Sequence, residues 1–352
     1  MNKKNSHIKN ESENTVCGSS NTLKNYQINI LHNFKINGAY AKFNISNKLK
    51  LNISLIAFKI LSLIYAFLLL YNRGNNSKNK YNNNNKSMKH AILLLSSYGI
   101  NYLNNVLSQF NNDKRFDIYI HIDDKTKIDI DNNKKLTKSR IKYIKHLSNS
   151  KKYSFEMVDV MLKLLIIANK KDNYDYFHYF SDSCYLIKTL DEFYQFFITN
   201  NNKSYVDYFL SEYFLYKNQS FILYKGSQWM SLHINIVQKL LDNINLFHKY
   251  KKEIKNKTIR IIYGAFDEFI IQQIIVSDIC KGKPQEYNII NSSLRFIRWN
   301  CNKEYCPNYL DIDNVSEKEI KFIKKNNYLA IRKINYTNYK AIDLVNRLKG
   351  ES

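Results

Sequence analysis

The stretch from His90 to Ser96, HAILLLS, is a continuous apolar run of strand length, as expected of a strand covered on both faces. A helical stretch from about Asn101 to Phe110 follows. Next comes FDIYIHIDD, in which Ile118, Ile120 and Ile122 alternate with Tyr119 and His121, so a second strand is expected. YSFEMVDVMLKLLIIANKK predicts a helix that is apolar almost all round, with Ser154 at its N-cap. YDYFHYFSDSCYLIKT predicts a third strand ending near Ser181. Strand, helix, strand, helix, strand is the order of an α/β fold with a mostly parallel sheet flanked by helices. Ligands on such sheets lie beyond the carboxyl ends of the strands. Here those ends are Ser96-Ser97, Asp123-Asp124 and Ser181-Asp182.

Before His90 the pattern breaks down. Residues 1–50 are polar and rich in Asn and Lys, the composition of a disordered basic tail. Residues 51–71, LNISLIAFKILSLIYAFLLLY, are apolar and about long enough to cross a bilayer as a helix. Lys59 interrupts this run. Two readings stay open: a spanning helix with Lys59 snorkelling to one face, or a buried or interfacial helix. Basic flanks on both sides give no orientation. An Asn/Lys-rich linker over 72–89 leads to a domain expected over 90–350.

Composition narrows the partners. The chain has 352 residues, 44% of them apolar, enough for a large core, and only 8 Gly and 2 Pro, too few for a turn-rich β architecture. A net charge of +24 favours anionic partners: nucleic acid, an anionic membrane or a phosphate-bearing substrate. Much of that excess belongs to the tail, because the first 89 residues hold only two acids, Glu11 and Glu13. Nothing reads as an RNA-binding aromatic motif or a helix-turn-helix, so nucleic acid is not the expected partner. The five cysteines, Cys17, Cys184, Cys280, Cys301 and Cys306, have no zinc-site spacing. Cys301 and Cys306 are either a disulfide or two free thiols.

There is no GxGxxG, no GxxxxGK[ST], no HExxH and no GxSxG. The DxD pairs at Asp129/Asp131 and Asp311/Asp313 lie in polar stretches that follow no apolar strand, so no metal site is expected. Asp182 is the only acid at the end of the third strand. Asp123, at the end of the second, suits either a hydrogen bond to a ribose or base, or an ordinary turn. Asp267 and Glu268 stand in front of FIIQQIIV, where acids also favour the first turn of a helix. Arg295 and Arg298, and Arg332 with Lys333, are interleaved with apolar residues. Such cations are either surface ion pairs or groups that neutralise a leaving diphosphate. Trp229 and Trp299 are either core residues or platforms for a sugar face.

Taken in order, these segments resemble the core-2/I-branching N-acetylglucosaminyltransferase family, which includes the peptide O-xylosyltransferases. FDIYIHIDDK resembles its strand ending H-[IV]-D, and YDYFHYFSDSCYLIKTLDEF its block around S-[GD]-x-[DC]-[YF]-P-[LI]-K. GSQWMSL is similar to its G-S-x-[WY]-[FW]. FDEFIIQQII resembles its P-D-E element, LRFIRW its [LA]-R-[FY]-x-x-W, and YLAIRKI its F-A-[RN]-K-F. The resemblance covers about residues 90–335.

The resemblance implies a GT-A fold, inversion at the sugar carbon and no metal or other cofactor. It implies Glu268 as the general base, with Asp267 capping the helix. Asp123, Arg332, Lys333 and Arg295 would bind the UDP-sugar donor. Trp299, Trp229, Gly226, Ser227 and Asp182 would lie on the acceptor side. The expected activity is transfer of GlcNAc, or second xylose, to a hydroxyl of a glycan or glycoconjugate. Association with a membrane is expected, at the cytoplasmic face in a bacterium or as a Golgi type II anchor in a eukaryote. Departures from the family are SSYG after the first strand, and Cys184, Leu186 and Phe266 at positions where the family commonly has Asp, Pro and Pro. Three rivals stay open: a non-catalytic basic binding protein, a GT-A transferase with another donor or with a metal at Asp182, and a transferase fold that has lost catalysis, as the SSYG departure would allow.

Overall fold

The computed structural model describes residues 87–110, 113–123, 140–147, 154–214, 220–256, 265–298 and 308–350. The basic tail, the apolar segment 51–71 and most of the linker lie outside them, as do Cys17, Cys301, Cys306, Asp129 and Asp131. No helix among the described residues is long and apolar enough to cross a membrane.

The chain begins with β1 (His90–Ser96), α1 (Ile100–Ser108), β2 (Phe116–Ile122), β3 (Ile141–Lys145), α2 (Phe155–Lys171) and β4 (Tyr176–Ser181). β1 pairs in parallel with both β2 and β4, and β2 with β3. Every residue of β1, β2 and β4 is buried, which accounts for their unbroken apolar character. Alternation along β1 sends Ala91, Leu93 and Leu95 into a core under α2, and Ile92 and Leu94 into a second core with Leu103 and Leu107 of α1. Ser154 does occupy the N-cap position of α2, but its side chain makes no capping hydrogen bond.

After β5 (Cys184–Leu186) and α3 (Leu190–Thr199), β6 (Ser204–Val206) leads into a hairpin, β7 (Phe209–Phe214) and β8 (Ser220–Lys225), whose strands, among the described residues, pair only with each other. Then come β9 (Ser231–His233), α4 (Ile234–Asp242) and α5 (Ile244–Lys255). The main sheet has the order β10-β6-β9-β4-β1-β2-β3, with β10 at Ile289–Asn291. β11 (Arg295–Ile297), β12 (Ala330–Arg332) and β5 form a smaller sheet packed under α7 (Glu317–Lys325) and α8 (Tyr339–Lys349).

One antiparallel strand decides where the site forms. β9 runs against β4, with His178 opposite Ser231 and Tyr176 opposite His233. The residues just before β9, Gly226 to Trp229, therefore lie beside the carboxyl end of β4. β12 arrives from the other side, Arg332 in register with Cys184.

The first residues of β1 and β4 hold a buried pair of imidazoles. His90 Nδ1 lies 2.9 Å from His178 Nε2, and His178 Nδ1 lies 2.9 Å from Ser231 Oγ. The two imidazoles stack 5.2 Å apart and are both fully buried. Burial first, and the nearby Arg115 charge second, hold His90 down to about 3; burial, then His90 itself, holds His178 well below its ordinary value. Both rings are neutral. His90 Nε2 has no hydrogen-bond partner. An unpaired lone pair costs less than an unpaired N–H, so His90 donates from Nδ1 to His178, which donates in turn to Ser231.

Candidate active site

Four segments converge at the carboxyl end of β4: Ser181–Ser183, Gly226–Trp229, Asp267–Glu268 and Arg332–Lys333. Asp267 and Glu268 belong to a tight 3-10 turn (Phe266–Glu268) that precedes the short α6 (Ile270–Gln272), continued as a π-helical widening over Gln273–Ile279. Two buried amides lock this element to β8 and the Gly226 segment. Gln272 Nε2 donates to Ser227 O at 2.8 Å, and Gln273 Oε1 accepts from Tyr224 N at 3.0 Å. Gly226 N donates to Glu268 O at 2.8 Å, closing the connection.

Glycine is needed at 226 for space. A Cβ there would stand 1.7 Å from the carbonyl oxygen of Asp207. Asp207 Oδ2 accepts from Ser227 N at 3.1 Å, so the two roots of the hairpin are tied beside the acidic turn. Gly226 and Ser227 thus shape backbone, and the Ser227 hydroxyl accepts from Trp229 N at 3.2 Å.

The acidic pair divides otherwise than the resemblance implied. Asp267 does not cap a helix: it is buried, and its Oδ1 has no partner. Burial, reinforced by the Glu268 charge, raises it to about 7. Glu268 is partly open to solvent and faces Lys225 at the end of β8, with Nζ 3.4 Å from Oε2. Burial raises Glu268, while the Lys225 ammonium pulls it back; Asp207 pushes it up and Arg332 lowers it.

Arg332 lies over the Trp229 ring, its guanidinium carbon 4.4 Å from the centroid. One of its Nη1 donors reaches Ser181 Oγ, and also Ser183 Oγ at 2.6 Å. Its charge acts on Asp182, Asp267 and Glu268 alike. Lys333 faces elsewhere, as the next residue past a strand end should. Its ammonium stands 4.9 Å from the Tyr98 ring centroid and 4.7 Å from that of Tyr309, and it is hydrogen-bonded with the Tyr309 hydroxyl. Tyr98 comes from SSYG, so the residues that depart from the family pattern build half of this aromatic cage.

Two expected ligand contacts are placed inside the protein instead. Asp182 is fully buried; its Oδ2 accepts from Ser97 N and Tyr98 N, each at 2.7 Å, and from Ser96 Oγ at 3.1 Å. Burial raises it, and those three donors oppose the shift. It holds the loop after β1. Arg295 is buried too, donating to the carbonyls of Trp229, Ser293 and Tyr179, each at 2.7 Å, with Phe180 against its guanidinium. Burial lowers it to about 10, and three of its donors serve backbone carbonyls. Trp229 is only 5% exposed, its ring face taken by Arg332. Asp123 is half-buried at the end of β2, where its N–H donates to Ser96 O at 2.9 Å. Trp299 lies outside the described residues.

Asp311 and Asp313 are engaged locally: Asp311 Oδ1 accepts from the N–H groups of Asp313 and Asn314, and Asp313 pairs with Lys340. No group of three His, Cys, Asp or Glu among the described residues is arranged to hold a metal ion. Cys184 and Cys280 are free and buried.

A mostly parallel sheet with helices on both faces, and charged groups gathered at its strand ends, is the fold of a GT-A-type glycosyltransferase. The family described as Core-2/I-Branching enzyme matches residues 96–324, well over half of the chain, and the protein belongs to that family. Its members are glycosyltransferases, which take a nucleotide-sugar donor and a glycan acceptor. No curated protein matches the chain. The matched span ends before Arg332 and Lys333, so the structure alone shows that these two reach the same strand end as Glu268.

Proposed function

We propose that the protein moves a sugar, GlcNAc or second xylose, from a UDP-sugar to a glycan hydroxyl by one inverting displacement without a metal. The observation that carries this reading is Glu268, a carboxylate partly open to solvent and bracketed by cations, at the ligand-binding edge of the sheet. In this reading Glu268 takes the proton of the acceptor hydroxyl as that oxygen attacks the anomeric carbon. The bond from that carbon to the diphosphate breaks as the new glycosidic bond forms, and UDP leaves with the bonding pair. Arg332 and Lys333 supply the positive charge that UDP requires on departure. A base acting in concert with attack needs placement more than a strongly raised affinity for protons. Asp123 would meet the uridine, and membrane association would follow from the tail and the segment 51–71.

Calorimetry of the full chain against a panel of UDP-sugars, with EDTA and then with manganese, tests this reading. One UDP-sugar binds saturably in EDTA, and Glu268→Gln binds it equally but releases UDP about 10²- to 10⁴-fold more slowly. Binding only with manganese would overturn the metal-free mechanism. No binding in either condition would favour a transferase fold that has lost catalysis, or a non-catalytic basic binding protein.

A further inference from the structure

The Glu268 carboxylate is not surrounded at random. Four charged groups face it: Asp267 from its own turn, Lys225 from the end of β8, Asp207 from the entry to β7, and Arg332 from the end of β12. While Asp267 holds its proton, the cluster sets two carboxylates, Glu268 and Asp207, against two cations, Lys225 and Arg332; burial raises Asp207 as well, and the Ser227 N–H opposes that shift. Arg332 is committed to Ser181, Ser183 and the Trp229 ring. Lys225 is the cation in salt-bridge range of Glu268, and its ammonium is fixed from behind by the Phe269 ring, 5.3 Å from the centroid. Both Lys225 and Asp207 belong to the hairpin roots tied together at Gly226.

We propose that Lys225 is the positioning residue for Glu268: its ammonium pairs with that carboxylate, holds it in place and favours its ionised form, against the opposing charge of Asp207. The inference rests on the reading of Glu268 as the base: burial favours the protonated form of this carboxylate, and the Lys225 ammonium opposes that. Without Lys225 the cluster carries an excess negative charge, and Glu268 relieves it by taking up a proton. Without the Asp207 charge the opposite holds. Substitutions at the two roots therefore move the same ionisation in opposite directions, which a merely structural pair would not do.

The test follows the side-chain carboxyl resonances of full-length protein labelled with ¹³C-glutamate, with Glu268 assigned by the signal lost in Glu268→Gln. Lys225→Met moves the Glu268 titration midpoint up by about one pH unit, Asp207→Asn moves it down, and Lys225→Arg leaves it near wild type. The acid limb of UDP release from UDP-GlcNAc moves with it. An unchanged midpoint in a folded Lys225→Met protein overturns the proposal. If that variant does not fold, Asp207→Asn decides, and a midpoint that stays or rises overturns it. Midpoints that move while the acid limb of UDP release stays fixed support the role of Lys225 and overturn Glu268 as the base, so the two failures are told apart.

Discussion

Arg332 stacks on Trp229 at 4.4 Å while the same guanidinium donates to the hydroxyls of Ser181 and Ser183. The planar fork allows both at once: the face meets the indole and the edge meets the serines. An ammonium has no face to stack and no fixed fork. Arg332→Lys is therefore expected to weaken binding of the UDP-sugar about tenfold to a hundredfold with little loss of stability. Tryptophan fluorescence should change with it, since Trp229 is one of two Trp. Calorimetry and emission spectra check the two effects separately.

Gly226→Ala should destabilise the protein by about 3 kcal/mol, because the new methyl would collide with the Asp207 carbonyl and backbone must give way. Urea melts would show it as a lower midpoint with an unchanged slope. An unaltered midpoint would mean that the hairpin roots move freely.

The buried imidazole pair sets an acid limit on stability. His90 and His178 are held neutral in the folded chain and reach their ordinary values when it unfolds. Their contribution is complete above about pH 6.5 and is lost as pH falls from there toward 3, at roughly 1.4 kcal/mol per pH unit for each ring. His90→Asn should flatten that slope in urea melts between pH 6.5 and 4.5, at the cost of lower stability at pH 7.5.

Asp267 works in the other direction. Its folded value, about 7, lies above the unfolded one. The protonated carboxyl is favoured at low pH, and the advantage is lost as pH rises through 7. The loss begins at the ordinary value of 3.8 and is complete near 7, so Asp267→Asn should be modestly more stable than wild type at pH 5 and clearly more stable at pH 8. A loss at both pH values would show that the ionised carboxylate is needed for folding.

The strand ends were readable because two-sided burial leaves a continuous apolar run, as in HAILLLS and YFHYFS, and because the first polar residue marks where each run stops. The acidic pair was readable as a candidate, but its division of labour was not: FDEF looks alike whether Asp267 caps a helix or lies under it. Asp182 and Arg295 illustrate the same gap. A polar residue next to a strand end can point at a ligand or fold back on main-chain groups, and local sequence is identical in both cases. The pairing of Lys225 with Glu268 joins residues from separate elements across a hairpin, and a single Lys before GSQW carries no trace of it. Gln272 and Gln273 left a weak signal, two amides in a run otherwise apolar, where unpaired polar groups would be costly. The histidines in β1 and β4 left a similar one.

A single carboxylate oxygen of Asp182 gathers three donors from consecutive residues, the last of β1 and the first two of the loop after it. The conformational entropy of that loop is thereby spent at folding and not at each encounter with a ligand. Whatever arrives at this strand end meets a wall already in its final shape. Association there should be governed by diffusion and charge, with no slow ordering step at this loop to limit turnover.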